Sequence, residues 1–146
     1  MKNYIKLRLP AISENESYAR SAVSALALPL SPTVEELNDI KTSVSEAVTN
    51  CVVHAYPGRG ELTSREILIE AELSENEISI TVTDFGVGIN DVEKAMEPFF
   101  TTRPADERSG MGFTIMKSFM DIVEVKSKKD EGTTIKMIKR IGARNA

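Results

Sequence analysis

The sequence is poor in the residues that staple, ligate or stack. It has one cysteine, Cys51, which excludes a disulfide framework and a thiolate zinc site and fits a reducing cytosol. It has one histidine, His54, so no multi-histidine metal centre can form. With no tryptophan and three tyrosines it lacks the stacking platforms that hold single-stranded nucleic acid. No apolar run approaches the roughly 18 residues of a membrane span. The opening stretch MKNYIKLRLPAISENES contains no apolar core, so no secretory leader is expected. A surplus of positive charge is missing as well. Lysines and arginines number 18 against 22 acids, and the net charge of −4 argues against non-specific nucleic-acid binding.

What is present suffices for one domain, 1–146: 146 residues, 41% hydrophobic and 27% charged, without repeats or low-complexity segments. Residues 4–9 alternate Ile5, Leu7 and Leu9 with Lys6 and Arg8, which predicts a half-buried strand that Pro10 ends. Ser13, Glu14 and Glu16 open a helix to about Leu28. Its polar stretch with Glu14, Glu16 and Arg20 reads either as a solvated face or as a partner surface. A second helix is predicted from about Thr33 to His54, with Leu37, Ile40, Val44, Ala47, Val48, Cys51 and Val52 on one face. Alternation then predicts strands over 67–73 and 78–82 around the turn Ser74–Glu77. Residues 85–112 hold four of the eight glycines, plus Pro98 and Pro104, with poor periodicity. They read as a long functional connection with a short helix near Asp91–Met96. A helix from Gly112 to Asp121 and strands over 122–127 and 133–141 complete the chain. The expected fold is α+β, a two-layer sandwich with a mixed, mostly antiparallel sheet covered by helices on one face.

Four features can carry chemistry. Glu46, Asn50 and His54 are spaced one helical turn apart. They form either a solvated polar stripe or a site where an amide oxygen holds Mg²⁺ beside a carboxylate base. Asp84 shares the parity of Ile78, Ile80 and Val82, so it should point to the covered face of the sheet, where a carboxylate needs donors. Gly86 and Gly88 follow it, as turn glycines or as backbone that a ligand can approach. Gly110 and Gly112 run into a helix N-terminus, which is either a flexible cap or an anion cradle, with Arg103 and Arg108 adding positive charge. Gly132 precedes Thr133 and Thr134, which open the last strand and can offer a hydroxyl to Asp84 or to a ligand.

The order Glu46-x-x-x-Asn50, Asp84-x-Gly86-x-Gly88-Ile89, Gly110-x-Gly112, Gly132-Thr133 resembles the GHKL ATPase superfamily, which includes the ATP-binding domains of gyrase, Hsp90, histidine kinases and MutL. The resemblance spans the chain from the second helix to the last strand. More narrowly, SENES (13–17), VSEAVTNCVVHAY (44–56), DFGVGINDVEKA (84–95), FFTTRP (99–104) and ERSGMGFTIMKSFMD (107–121) are similar to the serine-kinase anti-sigma factors of endospore-forming bacteria. The resemblance implies the Bergerat ATP-binding fold, with ATP and Mg²⁺ as ligands. It implies a sporulation sigma factor as partner, an anti-anti-sigma factor phosphorylated on serine, and a homodimer, for which Tyr4–Leu9 at a sheet edge is a candidate seam. By the same resemblance Asn50 is the Mg²⁺ ligand and Glu46 activates the attacking hydroxyl. Asp84 takes the adenine amino group, Gly86 and Gly88 admit the base, Gly110 and Gly112 wrap the phosphates, and Thr133 lies near adenine. Arg108, by charge and place in a lid over about 90–109, is expected to reach the γ-phosphate. The competing expectation is the catalytic domain of a histidine kinase.

Overall fold

The computed structural model describes residues 3–58, 64–97 and 112–142. Five strands form one sheet: β1 (Asn3–Pro10), β2 (Glu66–Leu73), β3 (Glu77–Asp84), β4 (Ile122–Lys128) and β5 (Gly132–Arg140), in the order β1-β2-β3-β5-β4. The helix-covered, mostly antiparallel sheet expected from the sequence is observed, and every described pair is antiparallel. β3 and β4 run in the same direction, but β5 returns between them. They therefore never pair, and the sheet shows no parallel ladder among the described residues.

The period-2 pattern becomes a set of apolar rows across the strands. Leu7, Ile69, Val82, Ile135 and Val125 align in one row, and Ile5, Ala71, Ile80, Met137 and Val123 in the next. The central members are fully buried, and each of the larger ones contributes about 1.5–3 kcal/mol by leaving water. Ile5, Leu7 and Leu9 on the edge strand β1 are only half-buried.

Helices α1 (Asn15–Ala27), α2 (Val34–Asn50), the short α3 (Val92–Ala95) and α4 (Gly112–Phe119) accompany the sheet. Thr33 starts α2 with a reciprocal capping box to Glu36, and Asp91 caps α3 through the Lys94 N–H. Ile40, Val44, Ala47 and Val48 turn the buried stripe of α2 inward. At the end of the sheet away from Asp84, Lys139 on β5 bonds both Asp39 on α2 (3.0 Å) and the Phe119 carbonyl at the end of α4 (2.6 Å). That contact ties two helices to the sheet.

One boundary departs from expectation. The α-helix predicted to reach His54 stops at Asn50 and continues as a π-helical turn, Cys51–Ala55. The cause is tertiary: the Ala55 carbonyl accepts from Val87 N–H at 2.9 Å, in the loop after β3. A wider turn delivers that carbonyl to the loop.

Candidate functional site

The apolar rows end in a polar one. Asp84 on β3 stands opposite Thr133 on β5, which stands opposite Ser127 on β4. Parity puts all three on the helix side, and Asp84 and Thr133 are 3% and 4% exposed. A carboxylate this deep must be compensated. Its Oδ1 accepts from the Gly86 N–H at 3.0 Å and the Thr133 N–H at 3.2 Å, and the Cys51 thiol hydrogen-bonds to it from the π turn. Burial nonetheless dominates and raises the Asp84 pKa above the ordinary carboxylate value, with the two N–H donors opposing it. Burial, then the neighbouring Asp84 charge, pushes the Cys51 thiol well up, so it stays protonated.

Glycine is required where this end of the sheet closes on itself. A Cβ on Gly86 would sit 1.9 Å from the Ala55 carbonyl oxygen. Gly88 has φ +76 and would drive a Cβ to 2.3 Å from the Lys128 carbonyl. Tyr56, buried just after the π turn, ties the loop down: its phenol oxygen accepts from Phe85 N–H at 2.7 Å and donates to the Glu66 carbonyl. On the far side Ser127 accepts from Ile89 N–H at 2.6 Å and contacts the Thr133 hydroxyl at 2.8 Å. Thr133 therefore gives Asp84 its backbone N–H, while its hydroxyl turns to Ser127. The Thr134 hydroxyl lies 3.4 Å from that of Thr83, in the row one step from the Asp84 row and of opposite parity.

Glu46 and Asn50 are half-buried, one turn apart on α2, which packs against α4. A Cβ on Gly112 would lie 3.3 Å from Glu46 Oε2, so the carboxylate faces the start of α4 and not open solvent. Anionic groups are favoured there by the free N–H groups and the dipole. Arg20 on α1 pairs with Glu16 at 2.9 Å, and Glu16 also accepts from Thr49 at 3.2 Å, one residue before Asn50. Of the residues singled out from the sequence, Glu46, Asn50, Asp84, Gly86, Gly88, Gly112 and Thr133 are described. Arg103, Arg108 and Gly110 lie outside the described residues. Sequence reasoning missed Tyr56 and Ser127 and saw Cys51 only as core. Ser127 carries a readable signal: it shares the parity of Val123 and Val125, where an apolar residue is expected. Among the described residues no cluster of three or more His, Cys, Asp or Glu forms a metal site, and no helix is long and apolar enough to cross a membrane.

Comparison with known proteins identifies the fold and the family. The family described as "Histidine kinase-like ATPase domain" matches residues 9–139. An anti-sigma F factor of Clostridium perfringens is 53% identical over 141 residues, 97% of this chain and 99% of that protein. Among solved structures, the RsbU and RsbW domains of a Mycobacterium tuberculosis protein superpose with a TM-score of 0.68 at 17% identity, covering 96% of this chain and 33% of that longer one. The catalytic domain of the histidine kinase ThkA, in a nucleotide-free form, gives 0.57 at 15% identity, covering 95% and 96%. The sheet, its helical layer and the matched span define a histidine kinase-like ATPase domain. Within that class, the chain belongs to the anti-sigma F factor family.

Proposed function

We propose that the protein is an ATP-dependent anti-sigma factor that binds and inhibits a sporulation sigma factor and phosphorylates a serine of its anti-anti-sigma antagonist. The observation that carries this reading is the buried Asp84 carboxylate, held by three donors in a polar row at the end of a sheet face whose central rows are apolar. It suits an amine-bearing base, because an ionised carboxylate can only accept. The donor set also fits a Mg²⁺-bound triphosphate: Asn50 offers an amide oxygen, and α4 directs its N-terminus to the same side as Glu46. When bound, MgATP supplies the phosphoryl group, and Mg²⁺ neutralises part of its charge.

The chain's own residues then divide the work. Asp84 and Thr133 hold the base, and Gly86 and Gly88 let backbone approach it. Asn50 holds the metal. Gly110, Gly112 and Arg108 bind the phosphates. Glu46 takes the proton of the attacking serine hydroxyl as its oxygen bonds to phosphorus and ADP leaves. A homodimer is part of the proposal. It is supported by β1, the sheet edge among the described residues, where Ile5, Leu7 and Leu9 are only half-buried while their row partners are buried. The family of the chain favours serine over histidine as acceptor. Incubation with labelled ATP, Mg²⁺ and candidate antagonists, followed by phosphoamino-acid analysis, tests this. Acid-stable phosphoserine on the antagonist is expected; an acid-labile phosphohistidine would replace the reading with a histidine kinase.

A further inference from the structure

Ser127 has one proton and two lone pairs, and the structure accounts for all of them. Ile89 N–H donates into the oxygen at 2.6 Å, and the serine donates to the Gly132 carbonyl at 3.1 Å. Its proton is spent. With its proton on that carbonyl, the remaining contact, 2.8 Å to the Thr133 oxygen, takes the proton of Thr133. Thr133 is left with lone pairs and no proton for anything else. Beside it in register, Asp84 already accepts from two backbone N–H groups. Both side chains are almost fully buried, so water cannot repair a mismatch.

We propose that Ser127 is a specificity-determining residue: by fixing Thr133 as an acceptor beside the acceptor Asp84, it selects a 6-amino purine nucleotide over a 6-oxo purine nucleotide. The inference rests on the nucleotide-binding reading above. An exocyclic amine brings two protons to a pair of acceptors. A 6-oxo group sets its own lone pairs against theirs, and a site built of buried partners rejects such an analogue strongly. Ser127 is a positioning residue in this scheme, acting through Thr133.

The test is equilibrium binding of ATP and of inosine triphosphate, with Mg²⁺, to the full chain. Wild-type protein should prefer ATP by about a hundredfold or more. Ser127→Ala releases the Thr133 proton to turn toward the base, and the ATP-to-ITP ratio should fall about tenfold, the worth of one hydrogen bond. Ser127→Thr keeps the hydroxyl and should restore the ratio. If Ser127 only anchored Ile89, Ser127→Ala would weaken both nucleotides by the same factor; an unchanged ratio overturns the proposal. If that variant does not fold, Thr133→Val decides. Loss of the acceptor should weaken ATP relative to ITP, and an unchanged ratio again overturns it. Wild-type protein that binds ATP without preferring it over ITP refutes the role of Ser127 alone. Wild-type protein that binds neither overturns the nucleotide reading itself.

Discussion

Asp84 is costly to the fold in the same way that it is useful to the site. Burial raises its pKa, so above the unfolded value there is a pH window in which the folded chain keeps a proton that the unfolded chain has lost. Stability contributed by this residue therefore falls as pH rises through that window, and the penalty is complete above the folded value. Asp84→Asn removes the charge and keeps an oxygen for the Gly86 and Thr133 N–H groups. Its thermal midpoint should exceed wild type by several degrees at about pH 8 and by little at about pH 4, since 1 kcal/mol is worth roughly 4 °C at this size. It should also lose nucleotide binding. Scanning calorimetry across pH checks the first outcome and nucleotide titration the second; a gain that is largest in acid would reverse the assignment. Glu46 separates binding from chemistry. Glu46→Ala should hold ATP within a few-fold yet drop phosphotransfer by about a hundredfold or more, the usual scale of a general base. Asn50→Ala should lose Mg²⁺-dependent ATP binding. Transfer at the wild-type rate by Glu46→Ala would show that another group takes the proton.

At the scale of elements, the π turn is what assembles the site. It brings Cys51 to Asp84, gives the Ala55 carbonyl to Val87, and positions Tyr56 between Glu66 and Phe85. A regular α-helix through His54 would not deliver the Ala55 carbonyl and Tyr56 in this way. Gly86 is the other half of this contact, since backbone meets backbone there with no flexible group to yield. Gly86→Ala should destabilise the protein by about 3 kcal/mol or more, through overpacking against a carbonyl that cannot move alone. Urea denaturation measures it, and a loss below about 1 kcal/mol would mean the loop relaxes. The helices and strands themselves were legible in the sequence because their causes are local: alternation in β2 and β3, the apolar stripe and Thr33 capping box of α2, and Gly132 at the last turn (φ +104). The π turn was not legible, because nothing in CVVHA differs from an ordinary helix end. Its cause is a hydrogen bond to a residue more than thirty positions away.

For the whole molecule, the half-exposed apolar residues of β1 carry the dimer prediction. Sedimentation at micromolar concentration should give twice the chain mass. A monomer mass would leave Ile5, Leu7 and Leu9 as an ordinary edge. Net charge is a poor guide at this scale. A chain of net charge −4 still places helix N–H groups at the start of α4, opposite Glu46. By itself, the sequence determined the elements, the inward parity of Asp84, and the family to which the ordered motifs belong, since periodicity, caps and motif spacing act over a few residues. Only the tertiary structure decided that β5 lies between β3 and β4. That placement aligns Asp84, Thr133 and Ser127 in one row and sets the Thr133 hydroxyl against a serine. Strand order is set by which connections can close over a shared core, and hydroxyl direction by which partners remain once the backbone has taken its own.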